Sequence, residues 1–317
     1  MNVGPRFDVL TIGRVGVDFY PTTDGSIIAV RHFEKFLGGS PTNVAVAAAR
    51  LGERAAVITR TGADPFGEYV HAALHDFDVD DRYVTSVEGL QTPVIFCETF
   101  PPDRFPIYFY RAPKAPDLEI YPEELDFEAI QAARLFWATV SGLSAEPSRT
   151  ATMAALAVRS RRRPTVLDLD YRPSFWSSRA SATEATSQAL LHATIAVGNL
   201  EEVDVAVGTQ DPDEAGDRLL ELGLELAVIK LGPEGVMAKS RDERVEVPPV
   251  PVKVVNGLGA GDAFGGALCH GVLAGWSLAD SLRFASAAGA IVASKLACSE
   301  AMPTAPEVED VLRRVTR

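Results

Sequence analysis

Short runs of β-branched and aliphatic residues recur along the chain, and most are separated by alanine-rich stretches whose apolar positions return at helical spacing. The runs Val9–Gly13, Ala55–Thr59, Leu135–Thr139, Thr165–Asp170, Ile195–Gly198 and Leu226–Leu231 read as strands, with helices between most of them. That alternation predicts an α/β fold, a doubly wound, mainly parallel sheet covered by helices on both faces. Two stretches break the rhythm, roughly 16–36 and 90–110, the second with period-2 alternation in TPVIFCETF and FPIYFYR. Both read as β-hairpin material. They predict a small sheet over the main domain, a lid spanning about 16–37 and 90–112 inserted in a single domain of residues 1–317.

With 317 residues, 47% hydrophobic and 23% charged, the chain has an ordinary globular composition, and no repeat or low-complexity segment divides it. The net charge of −13 argues against a nucleic-acid partner, because the densest basic run, Arg159–Arg163, is short and reads as the close of a helix before a strand. An acidic protein that binds an anion needs a locally electropositive site. Cys97, Cys269 and Cys298 are too scattered for a disulfide framework or a zinc site. No segment approaches the roughly 18 apolar residues of a membrane span, and the N-terminus lacks signal-peptide character, so the expectation is a soluble, cytoplasmic protein with no membrane partner.

The most informative segment is Val254–Trp276, VVNGLGAGDAFGGALCHGVLAGW. A glycine-rich turn runs into a small-residue helix, so Gly259, Ala260 and Gly261 can bring backbone amides against an anion. It is not a Walker A loop, since no Lys-Ser or Lys-Thr follows. Asp262, next in line and ionised at an ordinary pKa of about 4, could take the proton of a hydroxyl attacking a phosphoryl group, or could simply cap the helix. The segment alone leaves those readings even. A second motif, GGSPTNVAVAAARLG over Gly38–Gly52, offers the amides of Gly38 and Gly39 and the side chain of Asn43 to sugar hydroxyls, or marks a tightly packed helix start.

Together, GGxxxN near the N-terminus and GAGD near the C-terminus resemble the two signatures of the PfkB carbohydrate kinase family, and the resemblance covers nearly the whole chain. It implies a ribokinase-like three-layer α/β/α domain with a β-sheet lid, an ATP-dependent kinase using Mg²⁺ and in some members a monovalent cation, and a homodimer formed through the lid. Residue by residue it implies that Asp262 is the catalytic base beside Gly259, Ala260 and Gly261, and that Asp18 contacts sugar hydroxyls. Asn199 and Glu202, in GNLEEV, match the N-x-x-E element, which would make Glu202 an indirect metal residue through Mg-ATP. Lys230, Gly232 and Gly235 match the nucleotide segment, as do Gly257 and its glycine neighbours. A solvated acidic helix start is the plain alternative for Glu201 and Glu202. The chain departs from the pattern at Asn256-Gly257, where many members have Asp-Thr.

For the acceptor, alternation puts Tyr108 and Tyr110 on one face of a lid strand, with Arg111 and Arg172 in the same region. Guanidinium groups bind carboxylate bidentately, which favours a sugar acid. These segments also resemble those of sugar-acid kinases within the family, a resemblance that implies a deoxy keto acid phosphorylated at its terminal hydroxyl. Structural ion pairs with Asp103, Asp117 or Asp170 are the competing account of both arginines. A neutral-sugar kinase, a nucleoside kinase and a non-catalytic sugar-acid sensor are the alternatives.

Overall fold

The computed structural model describes residues 6–315. The main sheet takes the six runs above as β1 (Val9–Ile12), β4 (Ala55–Gly62), β9 (Leu135–Thr139), β10 (Thr165–Asp168), β11 (Ile195–Asn199) and β12 (Leu226–Lys230), all mutually parallel. At one edge sit the short parallel strands β5 (Val79–Asp80) and β6 (Val84–Val87). At the other, the antiparallel pair β13 (Val236–Ser240) and β14 (Arg244–Val247) closes the sheet. The order is β5-β4-β1-β9-β10-β11-β12-β13-β14, so the path turns back at β1, which has β4 on one side and β9 on the other. Such a switch point opens a crevice at the carboxyl ends of the strands.

Successive strand residues feed opposite layers. Val9, Val57, Leu135, Trp137, Val166 and Val197 pack on one side, against α1 (Ser40–Arg50), α2 (Pro65–Asp76), α8 (Ala260–Ala274), α9 (Leu278–Ala293) and α10 (Ala305–Val315). Leu10, Ile12, Phe136, Ala138, Leu167 and Ala196 pack on the other, against α3 (Phe127–Ala132), α4 (Ser148–Arg159), α5 (Arg179–Leu190), α6 (Leu200–Val207) and α7 (Pro212–Glu221). The fold is the expected three-layer α/β/α sandwich. Arg159 does close α4 before β10. Its buried guanidinium donates to the carbonyls of Ile130, Ala133 and Pro164, occupying polar groups that a helix-to-strand corner leaves open.

The two irregular stretches supply β2 (Gly16–Pro21), β3 (Phe33–Gly38), β7 (Val94–Cys97) and β8 (Ile107–Tyr110), a separate sheet in the order β3-β2-β7-β8. β2–β3 and β7–β8 are antiparallel pairs joined by the parallel contact of β2 with β7. One face of this sheet closes over the crevice.

Candidate active site

The crevice is a cleft of about 430 Å³ between the carboxyl ends of the main sheet, the N-termini of α1 and α8, and the small sheet. Gly259 stands immediately before helix α8, its φ of +80° left-handed and its missing side chain leaving room for Cys298. No side chain caps α8, so its first amides remain open toward the cleft. Asp262 lies in that first turn but does not cap it. Its Oδ1 accepts from Ser40 Oγ at 2.8 Å and its Oδ2 from Asn43 Nδ2 at 2.8 Å, both from α1. Asn43 is fixed in turn, its Nδ2 also 3.1 Å from Cys298 Sγ and its Oδ1 accepting from Ser299 Oγ at 2.7 Å. The two glycine-rich motifs, more than two hundred residues apart, thus meet on one carboxylate.

Burial lifts the Asp262 pKa above the ordinary value assumed from sequence, and the Asn43 and Ser40 hydrogen bonds offset part of the rise. Burial also raises Asp18 to about 6, although Tyr20 donates to its Oδ2 at 2.7 Å. Asp168, at the end of β10, is pushed up to about 7 by burial, against the attraction of Lys230. Burial works against the charge on Lys230 too, but Glu202, Asp168 and Asp262 outweigh it and raise its pKa. The cleft therefore carries five carboxylates, Asp18, Asp168, Asp170, Glu202 and Asp262, beside Arg14, Arg172 and Lys230. The expected electropositive site is corrected to a mixed one, in which cations gather locally and burial holds some carboxyl groups toward their neutral form.

Those upward shifts set a pH dependence of stability. An unfolded Asp, near 3.9, loses its proton before the folded Asp168 does. Between about pH 4 and pH 7 the native state therefore holds more protons, and stability falls as pH rises. Asp168→Asn is expected to be more stable than the parent at pH 8 by about 2–4 kcal/mol, with the gain vanishing near pH 4, as read by urea unfolding without ligands.

The parallel register of β11 on β12 sets Asn199 opposite Lys230. Asn199 and Glu202 form a reciprocal capping box, Asn199 Oδ1 accepting from Glu202 N at 2.9 Å and Glu202 Oε2 from Asn199 N at 2.8 Å. Glu202 is nevertheless buried and lies 3.9 Å from both Lys230 Nζ and Arg172 Nη1, whereas Glu201 is solvated. Gly39, Gly232, Gly257 and Gly261 line the same cleft. Gly38 sits behind it, where any side chain would collide with the Asp18 carboxylate, and Ala260 opens α8 without lining the cleft. Gly235 shapes the turn after β12 from outside, its carbonyl accepting from Leu231 N. The Asn256 side-chain amide is spent on main-chain groups, donating to Leu296 O beyond α9 and accepting from Leu258 N in its own loop.

The lid tyrosines and Arg111 are not where the sequence put them. The phase of β8 turns Ile107 and Phe109 into the cleft, which leaves Tyr108 and Tyr110 exposed on the outer face. Arg111 pairs with buried Asp117 at 2.7 Å and lies over Phe175, outside the cleft. Arg172 lines the cleft and pairs with Asp170 at 2.9 Å. Both arginines thus make the ion pairs of the competing account. Sequence reasoning also missed Arg14, Ser40, Asp168 and Cys298 as cleft residues, and saw Asp170 only as an ion-pair partner. Arg14, Asp168 and Asp170 did carry a signal, since each is charged and stands at the carboxyl end of a predicted parallel strand.

A sequence model of the pfkB family carbohydrate kinases matches residues 6–305. The chain belongs to the PfkB family of carbohydrate kinases. Among curated PfkB relatives, the 5-dehydro-2-deoxygluconokinase of Clostridium perfringens is 32% identical, the alignment covering 98% of this chain and 94% of that protein. The enzyme of the same name from Clostridium beijerinckii is 33% identical, over 97% and 93%. Among solved structures, a putative ribokinase II from E. coli in complex with ATP and Mg²⁺ superposes with a TM-score of 0.88 at 22% identity, covering 97% of this chain and 99% of that one. A fructokinase from Xylella fastidiosa with bound ATP gives 0.86 at 22% identity, over 98% and 99%. At those identities the structures establish the shared PfkB fold.

Proposed function

We propose that this PfkB protein is an ATP-dependent kinase that phosphorylates the terminal hydroxyl of a sugar acid, 5-dehydro-2-deoxygluconate. The observation that carries the kinase reading is Asp262, a carboxylate clamped by Ser40 and Asn43 beside the uncapped amides of α8. The names of the full-length relatives support the substrate. Asp18, Gly39 and Asn43 bind the sugar under the lid, and Gly38 keeps the backbone close to Asp18. Asn199, Lys230, Gly232, Gly257, Gly259 and Gly261 receive the nucleotide, with Gly235 shaping its loop. ATP with Mg²⁺ supplies the phosphoryl group.

Arg172 Nε, a buried donor in a cleft-lining side chain with no hydrogen-bond partner among the described residues, is open to an oxygen of the phosphoryl group. Among the described residues no cluster of three His, Cys, Asp or Glu side chains could hold a metal by itself, so Glu202 serves Mg²⁺ indirectly, through the nucleotide. Asp262 accepts the hydroxyl proton as the oxygen attacks the γ-phosphorus. A raised pKa strengthens it as a base. The open α8 amides and the cations take up charge on the transferred group, and the lid excludes water. We place the reaction in the cytoplasm, where ATP is supplied; no helix among the described residues is long and apolar enough to cross a membrane.

A coupled ADP-release assay with Mg-ATP tests the reading against 5-dehydro-2-deoxygluconate, 2-keto-3-deoxygluconate, fructose, ribose and adenosine. The first should be turned over best. Preference for a neutral sugar or adenosine would overturn the sugar-acid account, and magnesium-dependent turnover of none would overturn the kinase reading in favour of a sensor.

The lid further supports a homodimer. Its outer face carries a continuous aromatic cluster: Phe19 stacks on Phe96 at 5.0 Å, and Phe33 and Tyr110 meet Phe96 edge-on at 5.4 and 5.7 Å. Such a patch fits a second copy of itself better than water. Tyr110→Glu is expected to convert a dimer to a monomer in analytical ultracentrifugation. A parent chain that sediments as a monomer would count against the interface.

A further inference from the structure

Arg14 follows β1, where the strand order of the main sheet reverses, and its side chain is only 7% exposed. Its main chain is held by α1, the carbonyl accepting from Thr42 Oγ1 at 2.9 Å. The guanidinium lies near the rings of Phe109, from the lid, and Phe175, at 5.7 and 5.5 Å. Nε donates to Ser141 Oγ and Nη2 to Asp170 Oδ2, each at 3.1 Å, while Nη1 has no partner among the described residues although the side chain lines the cleft. A guanidinium with five donors, nearly buried and using two, has hydrogen-bonding capacity reserved for something else.

Asp170 is shared. Its Oδ2 takes Arg14 and its Oδ1 takes Arg172, so two guanidiniums divide one carboxylate and neither has it as a bidentate partner. Arg172 leans away toward Glu202, and Glu202 toward Lys230, which puts Arg172 with the groups at the ends of β11 and β12. Arg14 instead shares its corner with the lid face.

We propose that Arg14, and not Arg172, reads the carboxylate of the substrate through its free Nη1 edge, and that Arg172 serves the phosphoryl end. The inference rests on the sugar-acid kinase reading above. A fork already fixed by Ser141, Asp170 and the aromatic rings loses little freedom on binding. A neutral sugar that offers no acceptor there leaves the Nη1 donors unpaired as the lid closes, which penalises it.

The test compares the full-length parent with Arg14→Met, Arg14→Lys and Arg172→Met, using 5-dehydro-2-deoxygluconate and its carboxamide. Arg14→Met is expected to raise KM for the acid by about 10–100-fold, with KM for ATP and turnover of the carboxamide little changed. Arg14→Lys should recover part of the loss, and serves alone if the methionine variant does not fold. Arg172→Met should impair both acceptors alike. The proposal is overturned if the Arg14 variants keep the parental preference for acid over amide, or lose both acceptors equally. A parent chain that phosphorylates no sugar acid would overturn this inference together with the substrate reading, whereas an unaltered preference overturns it alone.

Discussion

Asp262→Asn is expected to lower kcat by about 10²–10⁴-fold while leaving KM for ATP and for the sugar acid nearly unchanged. The substitution removes the proton acceptor and little else. Asn43 is pinned by Cys298 and Ser299, so the new amide must present its oxygen to Asn43 Nδ2 and its NH₂ group to Ser40. Ser40 can rotate its hydroxyl to accept, since Asp168 Oδ2 stands 3.5 Å away to take the proton. The clamp between α1 and α8 survives. One member of a group of mutually repelling carboxylates is gone, so stability should hold or rise slightly at neutral pH. Loss of turnover with intact or improved unfolding midpoints is what a base predicts, whereas a helix-capping carboxylate would lose stability and keep its rate. Near-normal turnover in the ADP-release assay would remove the assignment.

The strands of the main sheet were legible because a parallel strand buried on both faces reads as an apolar run that little else in a globular chain imitates. β13 and β14 were not: VMAKS and RVEV are short and mixed in polarity, and their place at the sheet edge is set by pairing of β13 with β12 and of β14 with β13. The lid strands were visible as alternation, but alternation gives two faces without saying which one meets the cleft. Phase is fixed only by the partner surface, here the fit of Phe109 against Phe175 and Arg14. Tyr108 and Tyr110 fell on the wrong side for that reason. Asp262 and Asn43 stood out through glycine spacing, because close backbone approach leaves a mark in sequence. Arg14 left only a single charged letter after a strand. Its meaning comes from Ser141 and Asp170, 127 and 156 residues away, whose proximity is a product of the fold.

The same helix pair that holds the base can be broken without touching it. Gly266 lies one turn beyond Asp262 on α8 and faces α1, where a Cβ would collide with Ala47 Cβ and stand 2.9 Å from Ala48 N and 3.0 Å from Val44 O. Two of those three atoms are backbone and cannot rotate aside, so any side chain must push the helices apart. Gly265 beside it is packed against Trp137, whose ring would lie 2.7 Å from a Cβ there and stands in the way of the helix rolling aside. Overpacking of this kind costs about 1–3 kcal/mol where flexible side chains can yield. Gly266→Val is expected to exceed that range and leave the protein largely unfolded. Gly266→Ala should lose about 2–3 kcal/mol in urea unfolding and still fold. Its active fraction should turn over more slowly, because Asp262 rides on α8 while Ser40 and Asn43 ride on α1, and a separation of about 1 Å at the reacting group costs up to a hundredfold. Gly142→Ala is the control, its Cβ meeting nothing nearer than Thr152 Oγ1 at 3.5 Å, and should alter neither quantity. If Gly266→Ala lost stability but kept the parental kcat, the helix crossing would be a matter of folding alone, and the geometry of Asp262 would owe nothing to it.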